Sequence, residues 1–369
     1  MNRPVGLYLH IPFCLSKCPY CDFYSVPFTP ELADAYLAAV LRAIDAWPGQ
    51  ERADTLYLGG GTPSLMGPER LGAVVEAVSK RFGLQEQDEI TLEANPGSLE
   101  LATLKAFRQA GFNRLSLGVQ SLNDRELALL GRRHSAKEAL EAIDWALEAG
   151  FPQISADLML GIPEQTPSTL ATSMDGLARS GVCHISAYLL KIEEGTPFFS
   201  QNKAALCPDE DQTAQLYLDC CEGLEAQGFG RYEISNFARN GLVAKHNLKY
   251  WECVPYLGIG PGAHSFMNGQ RFYFGRDLQG FLQALNPWAL TTADGTGGDW
   301  EEYAMLRLRL ASGLDLAELE RLYAMDTQPI LKRAEPLIQA GLVTCENRRL
   351  ALTHAGCLLS NAITTKLLS

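Results

Sequence analysis

Three cysteines near the start of the chain are the residues best suited to chemistry. Cys14, Cys18 and Cys21 follow the apolar run 7–11, which is typical of a buried strand. A structural zinc site takes four protein ligands, and a [4Fe-4S] cluster commonly takes four thiolates. Three thiolates would leave one iron atom open to a small molecule, as a catalytic zinc site leaves one position open. The spacing therefore favours a ligand-binding metal centre.

Other sites can also be built from these cysteines. Asp22 or His10 could complete a zinc site, and Cys18 and Cys21 could form a redox pair of the thioredoxin kind. Neither alternative explains Cys14 together with the motifs that follow along the chain.

The elements that must position the cysteines form a repeating pattern up to about residue 190. Strands are predicted at 6–11, 55–58, 89–93, 114–118, 153–158 and 184–190. Helices are predicted between them at 31–47, 69–82, 99–110, 136–149 and 168–180. This alternation predicts a parallel sheet with right-handed crossovers. Because a closed barrel of this kind has eight strands, we predict an α/β fold with an open, partial (β/α)6 barrel.

Polar or glycine-rich strings follow four of these strands. They are Gly59-Gly-Gly-Thr-Pro63, Glu93-Ala-Asn-Pro-Gly97, Gly118-Val-Gln-Ser121 and Asp157-Leu-Met-Leu-Gly161. Glycines let a ligand approach the backbone closely, although they could simply form a turn. Each polar side chain could likewise cap the helix after it. Their repetition at strand ends nevertheless favours a shared site, since sites in such barrels lie at the carboxyl ends of the strands.

The cysteine spacing, followed by an aromatic residue, resembles the signature of the radical S-adenosylmethionine (SAM) superfamily. Further strings resemble, within it, the oxygen-independent coproporphyrinogen III oxidase group: L-Y-L-H-I-P-F-C at 7–14, G-G-G-T-P at 59–63, G-V-Q-S at 118–121, G-R-R-H at 131–134 and D-L-M-L-G-I-P at 157–163. The resemblance implies a radical SAM barrel in which Cys14, Cys18 and Cys21 hold a [4Fe-4S] cluster. SAM would then bind the fourth iron through its amino and carboxylate groups.

The resemblance also implies the residues of a SAM pocket. Matched by position, these are Tyr8, Tyr20, Gly60, Gly61, Thr62, Glu93, Gln120, Arg132 and Asp157. The two tyrosines would flank SAM, and the glycines and threonine would contact its methionine end. The residue types suit this role, because carboxylates accept hydrogen bonds from ribose hydroxyls or an ammonium group and arginine pairs with a carboxylate.

Two features separate this chain from the oxidase branch. Phe23 stands where that branch has a further cysteine, and thirteen residues precede Cys14, fewer than in that branch. Both features resemble the haem chaperones of the HemW type. The alternative is an oxidase that decarboxylates porphyrinogen propionates, using a radical derived from SAM.

The string His246-Asn247-Leu-Lys-Tyr250-Trp251 matches the H-N-x-x-Y-W motif of the haem chaperones. Imidazole is a common axial ligand of haem iron, and aromatic rings offer flat apolar surface to a macrocycle. The resemblance therefore implies haem contacts at these four residues. A hydrogen-bonded histidine beside core aromatics is the alternative, and His264 could be a second ligand or a turn residue.

The pattern changes near residue 300. Helices at 301–311, 315–323 and 328–340, a β-ribbon at 341–353 and a final helix predict a mostly helical, winged-helix-like module. We divide the chain into a core barrel at 1–237, a region with the haem motif at 238–299, and this module at 300–369. The module has eight basic and eight acidic residues, so it lacks the positive surface of a DNA-binding domain. We expect a lid or docking domain instead of an iron–sulfur regulator of transcription.

The composition limits the partners. With 31 basic and 43 acidic side chains, the net charge of −12 disfavours nucleic acid as a partner. No apolar run could form a transmembrane span or a secretory signal, so a cytoplasmic location is expected, with transient membrane association left open. These observations together predict a chaperone that binds the cluster, SAM and haem. It would pass haem to acceptor haemoproteins, respiratory ones among the candidates.

Overall fold

The computed structural model describes residues 3–369. Its strands are β1 (Val5–Ile11), β2 (Phe13–Cys14), β3 (Val26–Pro27), β4 (Ala53–Gly60), β5 (Glu89–Ala94), β6 (Arg114–Gln120), β7 (Gln153–Leu160), β8 (His184–Leu189), β9 (Gly230–Arg231), β10 (Asn236–Ala238), β11 (Tyr256–Ile259), β12 (His264–Met267), β13 (Gln270–Phe274), β14 (Thr291–Thr296), β15 (Leu314–Asp315), β16 (Val343–Glu346) and β17 (Arg349–Leu352). Its helices are α1 (Pro30–Ala46), α2 (Gly67–Phe82), α3 (Leu101–Gln109), α4 (Asp124–Leu129), α5 (Ala136–Glu148), α6 (Pro167–Arg179), α7 (Pro197–Ser200), α8 (Glu210–Ala226), α9 (Lys245–Trp251), α10 (Leu278–Gln283), α11 (Trp300–Leu308), α12 (Leu316–Tyr323), α13 (Gln328–Gln339), α14 (His354–Leu358) and α15 (Ser360–Leu368).

One large sheet carries the fold. Its strands follow the order β14-β13-β12-β11-β1-β4-β5-β6-β7-β8-β10-β9. The six strands β1, β4, β5, β6, β7 and β8 are parallel neighbours, with helices between them in the sequence. The sheet ends at β14 and β9, which do not pair with each other, so it is open. The predicted open barrel of six parallel strands is confirmed.

Strands that the sequence analysis did not predict extend the sheet on both sides. β11 runs parallel to β1, and β12, β13 and β14 continue antiparallel. On the other side, β10 and β9 run antiparallel to β8 and to each other. Residue 237, where we divided the chain, lies inside β10. The division into three regions stays a prediction.

The two faces of the parallel strands differ in chemistry, because successive side chains of a strand point to opposite faces. On the helix-covered face, Leu56 and Leu58 belong to one apolar core with Val74 and Val78 of α2. The opposite face lines the inside of the open barrel. It carries buried polar residues: Thr55, Glu89, Thr91, Arg114, Ser116, Ser155, His184 and Ser186. Buried polar groups need partners, so this interior must be satisfied by the protein or by a ligand.

The last part of the chain forms helices α11 to α15 and a small sheet in the order β15-β17-β16. This arrangement confirms the mostly helical, winged-helix-like domain. It contacts the barrel through an antiparallel bridge between Glu233 and Leu310 and through a 3.0 Å hydrogen bond from Arg231 to the Leu352 carbonyl. Within residues 3–369, every helix is too short or too polar to cross a lipid bilayer.

Candidate cofactor site

A cavity of about 460 Å³ lies at the carboxyl ends of the parallel strands. The predicted site residues that line it are Cys14, Cys18, Tyr20, Cys21, Gly60, Gly61, Thr62, Glu93, Gln120, Arg132, Asp157 and Asn247. The structure therefore brings together side chains that the sequence separates by more than two hundred residues. Tyr8, His246, Tyr250 and Trp251 lie outside this lining.

The cysteine loop, residues 14–25, forms one wall of the cavity and is anchored by the pairing of β2 with β3. All three thiols are free and half-buried, and burial raises the pKa of Cys21. The Thr62 hydroxyl lies 3.9 Å from Cys14 Sγ, and the guanidinium of Arg132 donates to Cys18 Sγ at 3.4 Å. Within residues 3–369, no group of His, Cys, Asp and Glu is close enough to bind a single metal ion. A cluster uses each thiolate at a different iron, so three thiols around one cavity fit it.

The residues that could have completed a zinc site are engaged elsewhere. Both ring nitrogens of His10 are hydrogen-bonded, one to the Tyr8 hydroxyl at 3.1 Å and one to the Tyr24 carbonyl at 3.0 Å. Asp22 lies 3.7 Å from Arg276. Neither His10 nor Asp22 lines the cavity, so the geometry does not favour the zinc alternative.

The glycine string after β4 is required by close packing. Gly60 has a φ of +115°, and a Cβ there would lie 2.7 Å from the His10 ring. At Gly61 a Cβ would lie 2.5 Å from the Phe13 carbonyl oxygen, closer than atoms can approach. The Thr62 amide donates to that same carbonyl at 2.7 Å. Only glycine allows this approach, which brings the string against the cysteine loop.

Two carboxyl groups lie deeper in the cavity. Glu93 accepts from the Tyr57 hydroxyl at 2.7 Å and from the Gly60 amide at 3.1 Å. Burial raises the pKa of Glu93 to about 7, and the nearby Asp157 adds to this shift. Burial also raises the pKa of Asp157 to about 6, against the hydrogen bond from Ser116 at 3.3 Å. Two carboxyl groups that lose a proton near neutral pH are suited to bind a cationic or hydroxylated ligand.

Arg132 places a positive charge between these carboxyl groups and the cysteine loop. Its guanidinium donates to the Gly118 carbonyl at 2.8 Å and to the Asn95 side chain, and it lies 3.5 Å from the Tyr20 hydroxyl. Gln120, at the end of β6, has a φ of +71° and lines the same cavity. An arginine held in this way can pair with the carboxylate of a ligand.

The haem motif forms helix α9, and its histidine is part of the protein interior. His246 is 1% exposed, and its ring bonds to the Thr55 hydroxyl and the Tyr250 hydroxyl, both at 2.8 Å. Burial lowers the pKa of His246 to about 3, and the charges of Lys249 and Arg114 contribute. Because both nitrogens have partners, the imidazole can bind iron only if one of these hydrogen bonds is broken. The geometry matches the alternative of a hydrogen-bonded histidine beside aromatic residues.

Helix α9 closes the barrel at the end opposite the cysteine loop. The carboxylate of Glu89 accepts from the backbone amides of Lys245 and His246, at 2.9 and 2.8 Å. These are the first amides of the helix, which lack partners within it. Asn247, the next residue, lines the cavity from this side. The motif therefore contributes one polar residue to the site, and it closes the barrel at this end, which we call the floor.

Trp251 of the motif and the separate His264 both lie outside the cavity lining. Trp251 packs under the guanidinium of Arg309, 4.5 Å from its ring centre, at the junction with the C-terminal domain. His264 is exposed and stacks on Tyr273, with ring centres 5.0 Å apart. The structure places it outside the cavity, and its role as a second haem ligand stays a prediction.

Several lining residues were missed by the sequence analysis. They are Tyr57, Arg114, Ser116, Ser186, Tyr188 and Lys191, among others. Tyr57 and Ser116 lie two positions before Gly59 and Gly118 on β4 and β6, and therefore on the same face as those predicted residues. That alternation could have identified them. The fully buried Arg114 could not have been predicted from its polarity, because such a residue usually lies at the surface.

Comparisons with known proteins decide the family. The sequence profile of the Radical SAM superfamily matches residues 8–177, and that of the HemN C-terminal domain matches residues 299–359. The heme chaperone HemW of Mycobacterium tuberculosis is 36% identical over 381 aligned positions, covering 100% of this chain and 95% of the relative. The chain belongs to the HemW haem-chaperone family. The resemblance to this branch of the radical SAM proteins is confirmed.

Further relatives agree with the family assignment. HemW of Bacillus subtilis is 33% identical over 367 positions, covering 96% of this chain and 97% of the relative. Among solved structures, coproporphyrinogen III oxidase (HemN) of Escherichia coli superposes with a TM-score of 0.84 at 24% identity, covering 100% of this chain and 91% of that one. At this identity the superposition shows the shared fold. This chain and the oxidase therefore share one fold.

Proposed function

We propose that this protein is a haem chaperone that binds a [4Fe-4S] cluster, SAM and haem and transfers haem to acceptor proteins. The observation that carries the proposal is the convergence of the cysteine loop, Arg132 and two carboxyl groups on one cavity, in a chain of the HemW family. These groups fit the donor set that a cluster and a zwitterionic, ribose-bearing ligand require.

The cysteine loop would hold the cluster, and the cavity would hold SAM beside it. Arg132 is suited to the SAM carboxylate, whereas Glu93 and Asp157 are suited to its amino group or ribose hydroxyls, which can donate hydrogen bonds to a carboxylate. A bound cluster and SAM would supply one-electron chemistry, and the surrounding chain binds, orients and excludes water. Tyr8 does not line the cavity, so its contact with SAM stays a prediction.

The haem contacts of His246, Asn247, Tyr250 and Trp251 also stay predictions. In the structure, Asn247 is the member of this set that lines the cavity, and His246 has no free ring nitrogen. Transfer to acceptor proteins rests on the family assignment alone, and a cytoplasmic location stays a prediction from the sequence. An acceptor would be identified as a protein that takes haem from this chain in a direct transfer assay.

Titration of the anaerobically reconstituted protein with haem tests the proposal. We expect a saturable change in haem absorbance at one equivalent, with or without SAM, followed by loss of haem to an apo-haemoprotein added in excess. A parallel incubation with coproporphyrinogen III, SAM and a reductant should release no carbon dioxide above the rate of a cluster-free control. Sustained release, without saturable haem binding, would replace the chaperone with the oxidase.

A further inference from the structure

The rim of the cavity combines exposed apolar side chains with lysines. We define the mouth as the lining residues Lys17, Phe23, Tyr188, Leu189 and Lys191. Phe23 is 66% exposed, and Tyr188 and Leu189 are each 41% exposed. Clustered apolar side chains on the rim of a cavity mark a binding surface, since leaving them in water is unfavourable.

We infer that the mouth is where haem binds, with its macrocycle against Phe23 and Leu189 and its propionates at Lys17 and Lys191. This inference rests on the proposed function, because it takes haem as the ligand. Haem is a flat apolar ring with two carboxylates at one edge. A surface that offers an aromatic ring, aliphatic area and two ammonium groups matches each of those parts.

The charge distribution supports this ligand. The protein as a whole carries a net charge of −12, so its general field repels a dianion. The two lysines of the mouth are a local exception to that field. Lys191 lies 2.6 Å from Glu193, but the two side chains are 81% and 39% exposed, and exposed pairs are weak. The lysine can therefore exchange this partner for a propionate.

The mouth stays available when SAM is bound, because its residues are exposed whereas the proposed SAM-binding groups Glu93, Arg132 and Asp157 are half-buried. Glu93 and Asp157 lie on β5 and β7 and Arg132 follows α4, whereas the mouth residues lie on the cysteine loop and at the end of β8 and just beyond it. Haem at the mouth would then cover SAM and separate it from water. It would also lie on the side of the barrel opposite His246, whose ring is sealed by α9.

Haem titrations of matched variants test the location. In cluster-loaded protein with SAM present, Lys17→Glu combined with Lys191→Glu should weaken haem binding about tenfold, because two attractions become repulsions. Phe23→Ala should weaken it about three- to tenfold, as expected for the loss of one aromatic contact. The matched controls are Lys332→Glu on α13 and Leu322→Ala on α12, which are exposed on the C-terminal domain and should change affinity by less than about twofold.

Haem dimethyl ester separates charge from shape. The ester lacks the propionate charges, so it should bind the wild-type protein and the double-lysine variant with equal affinity while still responding to Phe23→Ala. Iron content and unfolding temperature should match the wild type in every variant, because the altered side chains are exposed.

Each outcome decides the inference. If haem binds the mouth variants as tightly as it binds the controls, haem does not bind at the mouth, and the proposed chaperone function is unaffected. If His246→Gln abolishes haem binding while the mouth variants retain it, haem sits at α9. If the wild-type protein does not bind haem, both the assignment of haem to the mouth and the proposed function are wrong.

Discussion

The two ends of the barrel interior contrast in how their polar groups are satisfied. At the floor, His246 bonds to Thr55 and Tyr250, and Glu89 bonds to the start of α9, so protein groups meet one another. At the carboxyl ends of the strands, three free thiols and two carboxyl groups with raised pKa line an open cavity, although protein groups also donate hydrogen bonds to both carboxyl groups.

This contrast shows how one strand pattern serves two purposes. The inward positions of β4 include Thr55 at the floor and Tyr57 beside the cavity, two residues apart. An inward side chain stabilises the fold where another protein element closes over it, and it is available to a ligand where none does. Helix α9 does so at the floor, whereas the cysteine loop leaves space at the other end. The Nε atom of Arg114, between the two ends, is buried without a hydrogen-bond partner among residues 3–369.

The largest difference between the ends should appear in metal content. We predict that Cys14→Ala, Cys18→Ala or Cys21→Ala removes most of the iron and acid-labile sulfide from anaerobically reconstituted protein, because three thiolates leave no spare ligand. Cys345→Ala, an exposed cysteine on β16, is the control and should retain both. Full cluster content in the triple alanine variant would mean that other cysteines are the ligands.

The floor should respond in stability instead. His246→Ala removes two buried hydrogen bonds and leaves the Thr55 and Tyr250 hydroxyls without that partner, so we expect the free energy of unfolding to fall by about 2–4 kcal/mol. Phe23→Ala, at the mouth, should change it by no more than about 0.5 kcal/mol, because this ring is 66% exposed. Denaturant unfolding of the two variants without cofactors measures both values. An equal loss of unfolding free energy in the two variants would contradict the distinction between floor and mouth.

The sequence predicted which residues meet at the open end of the barrel better than it predicted where helix α9 lies. The cysteine spacing and the strings at strand ends are local patterns, and the parallel topology brings strand ends together automatically. The hydrogen bond of His246 to Thr55 depends on α9 returning beneath β1 and β4, a long-range contact that no local pattern encodes. The extra strands β11 to β14 were missed for a different reason, since short strands between turns resemble loops in a sequence.

Within the open end, the buried carboxyl groups should control SAM affinity. Asp157→Asn keeps the shape of the side chain but removes its charge, so SAM should bind about 10- to 100-fold more weakly, as expected for a lost charge-assisted hydrogen bond. Calorimetry on cluster-loaded protein measures this change, with Asp144→Asn, exposed on α5, as the control. An unchanged affinity with a full cluster would place SAM away from Asp157.

The smallest effect should be a dependence of SAM affinity on pH, set by Glu93. Burial raises its pKa from the ordinary 4.5 to about 7, so the side chain is mostly ionised at pH 8 and mostly protonated at pH 6. If the ionised form binds the SAM amino group or ribose, affinity should fall about tenfold between these pH values, one proton being taken up as SAM leaves. The stability of the fold without SAM depends on pH in the opposite direction to SAM affinity. Because the folded pKa of Glu93 exceeds the unfolded one, its ionisation makes the fold less stable as pH rises from 4.5 through 7.

Glu93→Gln tests this assignment, because it removes the titration while retaining the size of the side chain. SAM affinity in the variant should be lower at pH 8 and nearly flat down to pH 6, below which Asp157, with a pKa of about 6, takes over the dependence. The floor offers the comparison: Glu89→Gln alters a carboxylate that faces the amides of α9, so it should leave the slope between pH 8 and 6 as in the wild type. A wild-type slope that persists in Glu93→Gln would assign the titration to another group at the cavity.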